Sequence, residues 1–391
     1  MQYADVVIVG GAVVGSAAAF FLRSQANFTG SVLVVEKDFS YEKCATARSA
    51  ASIRHQFSTP ENIRMSQFGT DFIRNIGHHL AVDGDSPDVG FHEGGYLFLA
   101  TPAGRGIMES NHRVQRSLGV DVALLEPAQL RARFPWLATD DLVAGSLGLS
   151  GEGWLDAYGL LQAFRRKAVS LGAEYRQAQV TQVQRRGRTI ASVTLSDGST
   201  VHCGMVINAA GTGATELARS AGIHLPVQSR KRCVFFFSTP AQVSQCPLVI
   251  DPSGAYFRPE GSGFICGISP PEAQDPECFD FDVQHGLFDG VLWPLLAARV
   301  PAFEAARVRN AWAGHYDVNT LDHNVILGAH PVVDNLLFAN GFSGHGMQQS
   351  AAVGRALSEL VTFGGYRTLD LSALGWARVI DNRPLLEANV V

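Results

Sequence analysis

The chain has 391 residues, long enough for more than one core, and 46% hydrophobic with 17% charged residues fits a globular rather than a disordered protein. A formal charge of −5 gives no basis for expecting a nucleic-acid partner. The six cysteines (Cys44, Cys203, Cys233, Cys246, Cys266 and Cys278) lack C-x-x-C spacing, which argues against a disulfide framework and a structural zinc site.

In chain order, Asp5 to Val9 is an apolar strand running into Gly10-Gly11-Ala12-Val13-Val14-Gly15. Gly10 permits the tight turn and Gly15 lets the next helix pack close. The first amides of that helix, around Ala12, Val13 and Val14, face a pyrophosphate. Ala12 departs from the dinucleotide pattern, which wants a second glycine there. Ser16 to Leu22 predicts a buried helix, and Ser31 to Val35 the next strand. That strand ends at Glu36, followed by Lys37, about 20 residues past the last glycine, where a ribose needs an acceptor. Thr59 to Ile76 has helical spacing, and Asp88 to Thr101 has strand character. Arg105 to Leu118 and Pro127 to Phe134 read as helices outside the cofactor fold. Asp156 is placed to cap another helix. Ala178 to Val183 and Ile190 to Leu195 flank a hairpin turn. Val201 to Ile207 ends at Asn208-Ala209-Ala210-Gly211, a second strand-to-glycine junction of this kind. After a strand- and proline-rich middle, Asn335 to Ala339 runs into Gly341-Phe342-Ser343-Gly344-His345-Gly346, with a helix expected from Ser350 to Val361. The expected fold is α/β: a Rossmann-like cofactor domain (residues 1–85, 145–226 and 318–391) interrupted by a β-rich α+β substrate domain (residues 86–144 and 227–317).

These junctions, with Thr46-Ala47-Arg48-Ser49-Ala50, resemble the FAD-dependent amine and amino-acid oxidoreductases, which include D-amino acid dehydrogenase, glycine oxidase, monomeric sarcosine oxidase and dimethylglycine dehydrogenase. The runs 253–258, 311–314 and 344–349 look closest to an animal mitochondrial branch linked to respiratory complex I assembly. The resemblance implies bound FAD. Thr46 to Ala50 would wrap the pyrophosphate and ribityl chain, Arg48 would neutralise a phosphate, and Val180 would hold the adenine through its backbone. Ala209 and Gly211 would line the same groove. Gly344, His345, Gly346, Met347 and Gln348 would face the pyrimidine end of the flavin. Non-covalent FAD is expected, because Gly314-His315-Tyr316-Asp317 and Arg48 stand where relatives carry an attachment cysteine or histidine; His55 and His315 are the remaining nucleophiles.

Hydride transfer from a carbon–nitrogen bond requires a neutral amine and no obligatory acid or base. Arg54 resembles the carboxylate-holding arginine of monomeric sarcosine oxidase, whose lysine partner would fall near Gln348. Tyr256 matches a cavity-lining tyrosine, and Arg258 alternates onto the same strand face. Tyr256, Arg54 and His345 are therefore the candidate catalytic residues, with Arg258, His315 and Tyr316 as further substrate contacts. Tyr316 stands where D-amino acid dehydrogenase and glycine oxidase place an arginine. Ile265 falls where monomeric sarcosine oxidase has its oxygen-activating lysine. The implied activity is oxidation of a small amino acid or N-substituted amine to an imine that water hydrolyses. The alternative is a flavoprotein retained for assembly, with little catalysis. No metal site is expected, since His78-His79 and the other histidines lack ligand spacing. No second dinucleotide fingerprint is present, no apolar run is long enough for a bilayer, and no leader precedes the first strand, so a cytoplasmic protein is expected. A homo- or hetero-oligomer remains open.

Overall fold

The computed structural model describes residues 2–240 and 242–388. Its first sheet has eight strands, six of them in the order Ile326–His330, Val333–Asn340, Thr200–Asn208, Tyr3–Val9, Val32–Glu36 and Glu174–Gln177. The five from Val333–Asn340 onward are parallel, and the hairpin Val180–Arg186/Thr189–Leu195 branches antiparallel from Thr200–Asn208. Strand periodicity explains how this sheet is covered on both faces. Val6, Ile8, Val32 and Val34 belong to one buried cluster, while Val7, Val9, Leu33 and Val35 belong to another.

The first cluster is closed by helices Val13–Ser24, Pro60–Arg74, Ala157–Ser170 and Gly346–Phe363. Local signals start and stop them. Asp156 Oδ1 accepts from the Gly159 amide at 2.9 Å, Pro60 occupies the first turn of its helix, and Gly364 ends the last helix in the left-handed conformation.

The second sheet runs Arg307–Asn319, Val227–Ser238, Gly263–Gly267, Tyr256–Glu260, Leu248–Ile250, Tyr96–Ala100, Ala144–Gly148 and Val122–Leu125. All its pairings are antiparallel except Leu248–Ile250 with Tyr96–Ala100. Phe235, Phe237, Phe257 and Phe303 fill its core. The long strand Arg307–Asn319 returns to the first sheet, where Gly341 N donates to Asp317 at 2.8 Å and Asn319 N to Ser343 Oγ at 3.1 Å. The glycine-rich loops thus meet the end of the second sheet at the carboxyl edge of the first, the place where open α/β sheets bind ligands.

Three local expectations are corrected. Ala144–Gly148 pairs with Tyr96–Ala100 and Val122–Leu125, so the passage back into the first domain falls after Gly148 rather than at residue 145. Only Tyr96–Ala100 of the 88–101 stretch is a strand, because Gly90 and Gly95 at positive φ break the ladder before it. The helix expected over 59–76 stops at Arg74, and a separate turn follows at Ile76–Leu80. Among the described residues no helix is long and apolar enough to cross a membrane, and no cluster of three metal-ligating side chains occurs.

Candidate cofactor and substrate site

Two cavities at the carboxyl edge flank the Gly10–Gly15 turn. One is bordered by Gly10, Glu36, Lys37, Val180 and Ala210. The other is bordered by Ala12, Thr46, Ser49, Gly211, Gly344 and Met347, and also by Val13, Val14, Ala209 and Gly346. The expected adenosine and flavin ends therefore each have a cavity, with small residues between them. Glu36 is buried, with Oε2 accepting from Gly11 N at 2.8 Å and Oε1 from Asp38 N at 3.0 Å. An ionised carboxylate has further lone pairs for ribose hydroxyls. His315 Nε2 is buried without a partner, and His315 and Tyr316 line the second cavity, so a planar polar group there would meet an open hydrogen-bonding atom. Small linings, a buried acceptor at one end and an unpartnered imidazole nitrogen at the other fit FAD.

Beside the Gly344 loop lies a separate, small cavity lined by Arg54, Gln56, Phe57, Phe98 and Gln115, with Glu387 and Ala388 on its wall. Arg54 is fixed from several sides. Its backbone amide donates to Gln348 Oε1 at 2.9 Å, its guanidinium lies over the Phe57 and Phe98 rings, and Nη2 is 3.2 Å from His345 Nε2. Burial first, and then the Arg54 charge, push the His345 pKa down to about 3, so the imidazole is neutral. Because guanidinium only donates, His345 Nε2 must accept. Arg54 Nε is buried and has no partner. Tyr96 and Tyr316 lie beside this arginine, and Tyr256 beside those two phenols. Burial raises all three phenols, while the Arg54 charge works against the shift at Tyr96 and Tyr316. Tyr96 also donates to Ser52 Oγ at 2.7 Å.

The neutral His345 has a measurable consequence. Its folded pKa lies below the unfolded value, so the stability it supports is complete above about pH 6.5 and is lost as pH falls toward 3. His345→Gln removes this acid penalty. Relative to wild type, the variant should gain about 2 kcal/mol between pH 8 and pH 5, read from denaturant melts at both. A gap independent of pH would mean that His345 takes up its proton in the fold at the same pH as in the unfolded chain.

Arg54, His345 and Tyr316 thus come together, with Tyr256 next to Tyr316, whereas two expected contacts do not. Arg258 is buried and turned away, with Nε and Nη2 on Ala50 O at 3.1 and 2.8 Å and Nη1 on Pro259 O and Glu260. It borders a different cleft with Thr46, Ala47, Ser49 and Ile265, so it is corrected from a substrate contact to a tie between the second sheet and the 46–50 turn. Arg48 donates to Glu42 O at 2.8 Å and Ala313 O at 2.9 Å, and its guanidinium lies over Phe281. Those carbonyls take two of its five donors. His55 is also removed as an attachment nucleophile, since its buried ring bonds Thr70 Oγ1 at 2.8 Å. The sequence reading missed Phe57, Phe98, Gln56 and Gln115, which carry no motif, and Glu152. This fully buried carboxyl accepts from His55 N at 2.6 Å and from Gln56, and burial pushes it up to about 7.

Residues 5–360 match the family model described as FAD dependent oxidoreductase. Over its whole length the chain is 45% identical to FAD-dependent oxidoreductase domain-containing protein 1 of Xenopus laevis, covering 85% of that protein. L-proline dehydrogenase from P. horikoshii superposes with a TM-score of 0.86 at 24% identity, covering 97% of this chain and 98% of that one. Glycine oxidase from Geobacillus kaustophilus gives a TM-score of 0.81 at 24% identity, covering 96% and 98%.

Proposed function

The chain belongs to the FAD-dependent oxidoreductase family, and from that premise we propose that it oxidises the C–N bond of a small carboxylated amine, an amino acid or an N-substituted one, to an imine that water hydrolyses. The observation that carries this reading is Arg54: a guanidinium with an unpartnered buried Nε, on the wall of a partly open cavity beside the Gly344–Gly346 loop. When bound, FAD supplies the hydride acceptor. The protein's own part is to bind and orient. Arg54 holds the substrate carboxylate, and neutral His345 and the Gln348 side chain hold Arg54. The Phe57 and Phe98 rings exclude water from the bound amine, and together with the nearby guanidinium they favour its neutral, reactive form. Tyr256 and Tyr316, with raised phenols, stay protonated and serve as donors rather than bases, while the Tyr96 hydroxyl is committed to Ser52 Oγ.

The test is anaerobic bleaching of the flavin by a panel of D-amino acids, sarcosine, dimethylglycine, proline and iminodiacids. Bleaching by a carboxylated amine supports the reading. A flavin that none of them reduces leaves the alternative, a cofactor retained for the fold and for assembly.

Two further outcomes are expected. Acid precipitation should release intact FAD into the supernatant; flavin that stays with the pellet would point to His315, which lines the cavity, as a covalent anchor. Substrate-reduced enzyme should be reoxidised slowly by air, and turnover should need a quinone or dye. Superoxide formation benefits from a positive charge, and the buried Ile265, at the position matching the oxygen-activating lysine, supplies none. Stopped-flow mixing with aerated buffer checks this, and reoxidation fast enough to sustain turnover would refute it.

A further inference from the structure

The Arg54 cavity has more polar definition than a carboxylate clamp needs, and its far wall carries a second open hydrogen-bonding atom. Gln115, on the helix Arg105–Ser117, is 3% exposed and lines the cavity. Its Nε2 donates to Phe57 O at 3.0 Å. That bond fixes the amide, since a flipped side chain would set oxygen against oxygen. Oε1 is then left buried with no partner. The neighbouring polar groups are already satisfied. Gln56 Oε1 accepts from Ser146 Oγ at 2.7 Å, and Gln56 Nε2 donates to Tyr96 O at 3.1 Å and Glu152 Oε2 at 2.8 Å. Glu387 accepts from Ser58 N and Ser58 Oγ, both at 2.6 Å, and from Thr59 and Asn62.

Two buried polar atoms on the cavity's residues therefore remain open: a donor, Arg54 Nε, and an acceptor, Gln115 Oε1. Between them the walls are apolar: Phe57, Phe98 and Met108. Leaving a buried acceptor unmet is costly, and a ligand that supplies its donor recovers that cost. We infer that this cavity selects a carboxylate-bearing ligand whose other end carries a neutral hydrogen-bond donor, an amide or a hydroxyl, received by Gln115 Oε1. A neutral donor is favoured over an ammonium because Gln115 Oε1 is an uncharged acceptor and the cavity already holds the Arg54 guanidinium. Glycine and sarcosine, which have no such second end, fill only the Arg54 side. This inference rests on the reading of the cavity as the substrate site.

Ligands that cannot be oxidised separate the two claims. Succinamate and levulinate have nearly the same shape, and each carries a carboxylate and a carbonyl. Only succinamate ends in a donating NH₂. In calorimetric titrations of the FAD-loaded protein, succinamate should bind about tenfold tighter than levulinate. The preference should vanish in Gln115→Met, a variant of similar size, provided that it keeps its flavin and its melting temperature. Arg54→Ala should weaken both ligands. Equal affinities in wild type, a comparison that needs no variant, would overturn the inference, as would a preference that survives Gln115→Met. If the preference holds while no amine bleaches the flavin, the oxidation reading fails and the recognition inference stands. If amines bleach the flavin with no succinamate preference, only the recognition inference fails.

Discussion

Gly15→Ala should yield protein without flavin, and with a folded state weaker by about 3 kcal/mol, the upper end for an overpacked site. A Cβ at position 15 would lie 1.9 Å from Gly10 O and 3.0 Å from Gly10 C, both backbone atoms of the turn that leads into the helix. No side-chain rotation relieves such a clash. The helix Val13–Ser24 must move away from the strand Tyr3–Val9, taking with it the amides that face the cofactor groove. Gly106→Ala is the matched control. It lies inside the helix Arg105–Ser117, and a Cβ there meets nothing within 4 Å. Alanine at that position should leave the flavin in place and raise stability by about 0.5–1 kcal/mol. Absorbance of the purified protein near 450 nm (roughly the flavin band) and denaturant melts read both variants. Flavin retained by Gly15→Ala at wild-type affinity would show that the turn tolerates the methyl group.

Gly15 also shows why the cofactor half of the molecule was legible in the sequence. A groove for a dinucleotide is built from backbone, and backbone demands leave their mark as glycines after apolar strands. The parallel strands Tyr3–Val9, Val32–Glu36, Thr200–Asn208 and Val333–Asn340 are buried on both faces toward their carboxyl ends, so each closes on an apolar run with a legible end. The strand Glu174–Gln177 escaped notice because it lies at the sheet edge, is only half-buried, and is polar throughout. The substrate cavity follows different rules. Phe57, Phe98 and Gln115 come from a loop, a strand of the second sheet and an outlying helix, and only the tertiary fold puts them beside Arg54. A buried glutamine on a mostly polar helix that buries Met108 beside it has no sequence signature. Arg258 misled for a related reason: strand alternation placed it correctly on a face, but the Ala50 carbonyl within reach of that face captured its guanidinium.

Arg54→Ala should raise the KM for carboxylated substrates about ten- to a hundredfold while FAD stays bound. A charge-assisted hydrogen bond to a carboxylate contributes about 1.5–3 kcal/mol, which converts to that range. The loss should fall mainly on KM, because the arginine grips a part of the substrate that does not change charge as the C–N bond is oxidised. Flavin binding should survive, since Arg54 is not among the residues lining the two cofactor cavities and only its amide, retained in alanine, bonds Gln348. Arg54→Lys discriminates between charge and shape. An ammonium restores the charge but cannot span the Phe57 and Phe98 rings and His345 Nε2 with one planar fork, so it should recover only part of the affinity. Amines without a carboxylate should be indifferent to Arg54→Lys, which keeps the charge, and should feel Arg54→Ala only through loss of the positive charge that favours their neutral form. Wild-type kinetics of Arg54→Ala on every carboxylated substrate would move the clamp elsewhere. Arg232 would then be the next candidate: its guanidinium lies over Tyr316, although Asp275 already takes two of its donors at 2.8 and 2.7 Å.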